Sequence, residues 1–163
     1  MSLYDNTSMI TELLNKAEAF PMSNVKTLET LLIERSFTTL ELKGITTIGS
    51  SAFCSCSNLT TVSFPDCTSI GESAFMSCTS LTTANFPMCT KIGSGAFNQC
   101  SALSRIDLMA STVCALVDST AFSGTGITRS TGSIFVPASL VSSYKKDLNN
   151  WIYFSNRIFS GEE

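Results

Sequence analysis

Residues 59–78 read LTTVSFPDCTSIGESAFMSC, and residues 81–100 read LTTANFPMCTKIGSGAFNQC. The two stretches match column by column at an offset of 22 residues. The same step recurs along the chain, in the sets Ile48-Gly49, Ile70-Gly71 and Ile92-Gly93; Ala52-Phe53, Ala74-Phe75 and Ala96-Phe97; Cys56, Cys78 and Cys100; and Leu59, Leu81 and Leu103. A fixed period of this length predicts a solenoid whose coils bury a shared core.

Each repeat divides into two parts. The segment from Leu59 to Phe64 is rich in β-favouring residues and alternates apolar and polar side chains near its end, which predicts a short strand. Successive strands would then lie side by side, about 4.8 Å apart, in a parallel sheet. The other part, Ile-Gly-x-x-Ala-Phe-x-x-Cys, is interpreted as a turn followed by a short helical or irregular arc. Its glycine suits a backbone position with positive φ, and its phenylalanine would fill the core behind the sheet.

These motifs resemble the BspA-type (Treponema-like) leucine-rich repeat. The resemblance covers about Ser36 to Pro137, with three clear repeats and two weaker ones, and the coil after Leu108 is irregular. It implies a right-handed α/β repeat solenoid with its parallel sheet on the concave side. It also implies bacterial surface or secreted proteins, or phage-borne relatives, that adhere to host proteins or cells.

Three regions are expected. Residues 1–36 would form an N-terminal capping helix, over residues 8–20, and a degenerate first segment. Residues 37–137 would form the leucine-rich-repeat solenoid, and residues 138–163 a helical and aromatic C-terminal cap. The aromatic tail is interpreted as a lid over the end of the core, with an aromatic binding surface as the alternative.

Seven cysteines invite a disulfide or metal interpretation. Five of them lie 11 residues apart and form two columns of period 22: Cys56, Cys78 and Cys100 in one, Cys67 and Cys89 in the other. Stacked, parallel thiols predict buried ladders, because a cysteine outside a disulfide behaves as a small hydrophobe. Disulfides and a metal site stay open as alternatives. Cys54 and Cys114 break the ladder and are expected to be the more exposed, oxidisable thiols.

Composition narrows the function. The chain has 10 basic and 13 acidic residues and no basic run, which argues against nucleic-acid binding. It has no histidine, which removes catalytic and metal arrangements that need one. The first twenty residues show no signal peptide, and no apolar run predicts membrane insertion. The compartment is therefore left open, with a cell-surface or secreted location implied only by the resemblance.

Outward-facing strand residues are the candidate binding site. Alternation along the strands predicts two columns on the concave face: Thr39, Thr61, Thr83 and Arg105 in one, and Glu41, Ser63, Asn85, Asp107 and Phe135 in the other. The first three coils would offer hydroxyls and an amide, and the fourth would add charge. Phe135 would either add an exposed aromatic or lie under the C-terminal cap. Ordinary solvated sheet surface is the competing interpretation of all nine.

The sequence favours a protein-interaction or adhesion module that presents this Ser/Thr-rich face to a protein or glycan. The alternative is a non-binding spacer or assembly domain of a larger surface or phage-tail protein. No enzyme, cofactor or metal is expected. Glu41 and Asp107 would lie about 14 Å apart, too far for paired acid–base catalysis, and no phosphate-loop or serine-elbow motif is present.

Overall fold

The structure is a computed structural model and describes residues 38–161. The predicted helix over residues 8–20, the segment 22–36 and Phe37 lie outside the described residues.

Two parallel sheets run along the described part of the chain. The larger has six strands, which in spatial order are Thr39–Glu41 (β1), Thr61–Ser63 (β3), Thr83–Asn85 (β5), Arg105–Asp107 (β7), Ser133–Val136 (β9) and Ile158–Ser160 (β10). The smaller has four, which in spatial order are Thr47–Ile48 (β2), Ser69–Ile70 (β4), Lys91–Ile92 (β6) and Ala115–Leu116 (β8). From β1 to β8 the strands alternate between the two sheets, and this confirms the predicted repeat solenoid.

The register follows the sequence period. Thr39 pairs with Thr61 and Thr61 with Thr83, each pair 22 residues apart. The irregular coil after Leu108 lengthens the next step, so that Arg105 pairs with Ser133. The extra residues are absorbed between β7 and β9 without breaking the parallel order of the sheet.

The phenylalanines predicted to fill the core stack in two columns. Phe53, Phe75, Phe97 and Phe122 follow one another at centroid distances of 5.1, 5.3 and 5.6 Å. Phe64 stacks on Phe86 at 5.6 Å and contacts the first column edge-on. Phe53, Phe75 and Phe97 are all buried, as predicted.

The Ile-Gly step is not the turn that the sequence predicted. Ile48, Ile70 and Ile92 each end a two-residue strand of the smaller sheet. The predicted reason for the glycine is also wrong. A Cβ on Gly71 would lie 2.7 Å from Gly49 C and from Ser50 N of the preceding coil. Glycine is needed here because neighbouring backbones approach closely.

Positive φ falls at other columns of the repeat. Ser51, Ser73 and Gly95, again 22 residues apart, have φ of 58°, 54° and 59°. A second set, Ser55, Ser77 and Gln99, has φ of 64°, 62° and 60°. These left-handed residues turn the chain after each short strand of the smaller sheet, and serine adopts the conformation at a modest energetic cost.

The segment after Pro137 packs against the final coil. A 3-10 turn over Ala138–Leu140 leads into helix α1, Val141–Lys146, and a second 3-10 turn spans Trp151–Arg157. The buried Tyr144 hydroxyl accepts a hydrogen bond from Cys114 N at 2.8 Å, and Trp151 Nε1 donates to Cys114 O at 2.6 Å. The aromatic ring of Trp151 continues the phenylalanine column from Phe122 at 6.1 Å.

Candidate interaction surface

The outer residues of the larger sheet form two straight columns, and the residues between them are buried. In β3, for example, Val62 is buried while Thr61 and Ser63 are half-buried. The register aligns the columns across the sheet: Thr39, Thr61, Thr83, Arg105 and Ser133 in one, and Glu41, Ser63, Asn85, Asp107, Phe135 and Phe159 in the other. All nine residues predicted as a binding site therefore lie on one face, which we call the outer face of the larger sheet.

The first three strands give this face a neutral, hydrogen-bonding character. Ser63 and Asn85 lie on adjacent strands, and Asn85 Nδ2 donates to Ser63 Oγ at 3.2 Å. Thr61 and Thr83 are half-buried, while Thr39 and Glu41 on β1 are exposed. This part offers hydroxyl and amide groups with little charge.

The fourth and fifth strands carry charge and an aromatic ring. Arg105 makes a bidentate pair with Asp107, through Nε at 2.9 Å and Nη2 at 2.7 Å. The guanidinium of Arg105 also lies 4.1 Å above the centre of the half-buried Phe135 ring. The side chains of Arg105 and Asp107 are 49% and 15% exposed, so the pair is open to solvent mainly on the arginine side. Planar stacking and a fork of donors hold Arg105 in one geometry.

Two functional candidates were missed from the sequence. Strand β10 extends the sheet beyond β9 and pairs Phe159 with Phe135, with their ring centroids 6.2 Å apart. Phe159 is 41% exposed. Arg157 lies just before this strand, with its guanidinium 5.7 Å from the Phe159 ring centre. The signal was present, since Ile158-Phe159 repeats Ile134-Phe135.

The sequence comparison identifies the repeats. The BspA type leucine-rich repeat region matches residues 29–144 in six copies. The chain belongs to the BspA-type leucine-rich repeat family. No curated protein matches the chain in a sequence search.

Within this BspA-type solenoid, the carboxylates do not form a catalytic pair. Glu41 and Asp107 belong to strands separated by β3 and β5, and Asp107 is held by Arg105. Asp118 precedes the 3-10 turn Ser119–Phe122, where hydrogen bonds from the Ser94 and Thr120 hydroxyls lower the pKa of its carboxyl. Asp118 thus acts as a structural cap for that turn.

The cysteines of the BspA-type repeats are present as thiols, and two columns of them run through the core. Cys78 Sγ donates to Phe53 O of the preceding coil at 3.0 Å, and Cys100 repeats this bond to Phe75 O at 2.9 Å. These sulfurs tie neighbouring coils together as well as filling space. Over residues 38–161, no group of three or more Cys, Asp or Glu side chains is arranged to hold a metal ion.

Cys114 was predicted to be an exposed thiol, and that prediction was wrong. It is fully buried and its Sγ lies 3.9 Å from Cys89 Sγ, which makes it the third member of the column that begins at Cys67. Its contact with Cys89 and its burial raise the pKa of its thiol. Burial and the neighbouring Cys89 likewise raise the pKa of Cys67, to about 11. Cys54 is half-buried, next to Ser55 Oγ at 3.6 Å.

Among the described residues, no helix has the length and apolar character required to cross a membrane.

Proposed function

We propose that the chain is a protein-interaction module that adheres to a host or surface protein or glycan through the outer face of its larger sheet. Membership of the BspA-type family supports an interaction role in general. Solenoids commonly use an extended sheet face for binding. A location at the cell surface or outside the cell belongs to the same proposal.

One observation carries this proposal. Arg105, Phe135 and Phe159 adjoin one another at the end of an otherwise neutral face, with the arginine stacked on one ring and the second ring exposed. Arginine and aromatic residues are the usual energetic centres of protein interfaces. A polar face beside such a group resembles the polar rim of an interface around its apolar centre.

The proposal is incompatible with several other classes of function. The net charge of -3 gives no attraction for nucleic acid. The family's repeats are typically non-enzymatic, and the separated carboxylates of the outer face offer no acid–base pair. We therefore propose binding without catalysis and without a cofactor or metal.

The test is a binding screen against immobilised extracellular-matrix and cell-surface proteins and glycans. Asn85→Ala, Arg105→Ala and Asp107→Ala should each weaken any binding found while leaving the melting temperature within about 2 °C. Lys91→Ala is the matched control, because Lys91 is exposed on the smaller sheet and away from the outer face. Equal loss of binding from the Lys91 variant would contradict the proposed surface.

A structural spacer is the second candidate, and one observation favours it. Hydroxyls beside the larger sheet are used within the solenoid: Thr60 Oγ1 donates to Thr38 O at 2.6 Å, and Thr82 Oγ1 donates to Thr60 O at 2.9 Å. Such side chains stiffen the stack instead of meeting a partner. A chain that binds nothing in the screen, and in which outer-face substitutions have no effect, would be a spacer or assembly domain.

A further inference from the structure

The C-terminal end of the outer face carries a group of side chains with its own character. We call it the aromatic corner, and it consists of Arg105, Phe135, Arg157 and Phe159. The two rings lie on the adjacent strands β9 and β10, and each has a guanidinium near one ring face, at 4.1 Å and 5.7 Å. No other pair of rings in residues 38–161 has a cation placed against each ring.

The two arginines of the corner differ in their partners. Arg105 is neutralised by Asp107, through two hydrogen bonds of 2.9 and 2.7 Å. Arg157 has no carboxylate partner among residues 38–161, and its Nη1 donates to the backbone carbonyl of Ser130, at 3.0 Å. Its Nε is buried and has no hydrogen-bond partner within the same residues. A buried donor without a partner is unfavourable, and a carboxylate is the acceptor that a guanidinium binds best.

We propose that the aromatic corner binds an acidic, aromatic-containing peptide segment of a partner protein. A carboxylate of that segment would pair with Arg157, and an apolar side chain next to it would pack on Phe159. The inference rests on the proposed function, and it adds Arg157 and Phe159 to the surface together with the chemistry of the ligand.

The dimensions of the corner suit an extended peptide. Strands β7, β9 and β10 are neighbours in the sheet, so the corner spans two strand spacings, or about 10 Å. That span matches about three residues of extended chain. Strand β10 is the last in the order of the described sheet, so a partner can approach from its open side.

The character of the corner favours a peptide over a sugar. A sugar ring would need an open aromatic face as a platform, but the guanidinium of Arg105 already covers Phe135 at 4.1 Å. Phe159 remains 41% exposed, enough for one inserted side chain. Fixed arginines stacked on aromatic rings are typical centres of protein–protein contacts.

The test uses two fluorescently labelled pentapeptides, Glu-Phe-Asp-Phe-Glu and Lys-Phe-Lys-Phe-Lys. Binding is measured by anisotropy, and its location by amide chemical shifts of the labelled protein. The acidic peptide should bind and shift residues around Phe135 and Phe159, while the basic peptide should not. Raising the salt to about 0.5 M should weaken the binding, because the charge pair is partly exposed.

Variants locate the contact. Phe159→Ser and Arg157→Gln should each raise the Kd for the acidic peptide about fivefold or more. Arg157→Lys should recover part of the loss, because it restores the charge without the fork of donors. Lys91→Gln is the matched charge-removing control on the smaller sheet and should leave the Kd unchanged. Phe159 is exposed, so its variant tests the inference even if an Arg157 variant folds poorly.

Three outcomes would overturn the inference: equal binding of the basic peptide, an unchanged Kd for Phe159→Ser, or corner shifts produced by polygalacturonate but not by the acidic peptide. The proposed function can fail or stand separately. If ligands from the screen depend on Asn85 and Asp107 but not on Arg157 and Phe159, the outer face binds and the corner does not.

Discussion

The rings of Phe75 and Phe97 stack with their centroids 5.3 Å apart and their planes within 1° of each other. The two residues are one repeat apart, and Phe86 from the second column lies edge-on to both, at 5.8 and 6.0 Å. Each coil therefore contributes its rings to the coils on either side. Since every coil is stabilised mainly by its neighbours, damage to a central coil should affect the whole stack.

Phe75→Ala tests this coupling. Phe75 is fully buried between Phe53 and Phe97, and removing its ring should cost about 3–5 kcal/mol of unfolding free energy. A domain of this size has about 5–15 kcal/mol in total, so the variant should be close to unfolding. Urea denaturation followed by circular dichroism measures the change. Thr79→Ala is the control, because Thr79 is exposed in the same coil and its variant should unfold at the parent midpoint.

Gly71→Ala tests the close approach of neighbouring coils. The added methyl would lie 2.7 Å from backbone atoms of Gly49 and Ser50, which cannot move without separating the coils. We expect a loss of about 2 kcal/mol or more, measured by urea denaturation. Gly44→Ala is the control: Gly44 has φ of 75° but open space around it, so it should lose only about 1 kcal/mol. Equal losses in the two variants would contradict the close approach.

The thiols should react in a fixed order. In the folded protein a thiol reagent should modify Cys54 first, because it is half-buried while the other six are buried. Cys54→Ser should remove that fast phase and leave the slow phases unchanged. Denatured but unreduced protein should titrate close to seven thiols, and a loss of two or more to disulfides would contradict the thiol columns.

Stability should fall at alkaline pH. The pKa of Cys67 is about 11 in the folded state against an ordinary value of 9.0, so the unfolded state loses this proton first. The stabilisation is fully present below pH 9.0 and is lost as the pH rises from there towards about 11. Urea midpoints at neutral pH and near pH 10, under reducing conditions, measure the effect. Cys67→Ala should show a weaker dependence on pH, and an unchanged slope would argue against a buried, neutral Cys67.

Tyr144→Phe tests the packing of the C-terminal segment on the last coil. The Tyr144 hydroxyl accepts the hydrogen bond of Cys114 N, and its loss would leave a buried N–H without that partner. We expect a cost of about 1–3 kcal/mol in urea denaturation. Tyr153→Phe is the matched control, because Tyr153 is 72% exposed and its variant should unfold like the parent protein. Equal stability of both variants would count against a capping role for residues 138–161.

Much of the fold could be predicted because the repeat is regular. Fixed spacing of Phe53, Phe75 and Phe97 requires that equivalent side chains occupy equivalent places, and alternation along each strand separates Val62 from its neighbours on either side. The outer face follows from these two patterns. The reason for glycine at Gly71 could not be read from the sequence, because positive φ and close backbone approach both demand a residue without a Cβ.

Other features were missed for identifiable reasons. The strands of the smaller sheet have only two residues, too few to show alternation. Cys114 could have been assigned correctly, because Ala121-Phe122 already shows the three-residue shift that places it 25 residues after Cys89. Phe159 lies in a tail whose helix-like pattern obscured a second Ile-Phe strand.

A crystal structure of the protein is the most direct test of the central claim, that side chains one repeat apart stack into a common interior. The account predicts Phe53, Phe75 and Phe97 in one column, with centroids 5.1 and 5.3 Å apart behind the six-stranded sheet. Rings that pointed to different sides of the molecule, or strands β3 and β5 that did not pair in parallel, would contradict it.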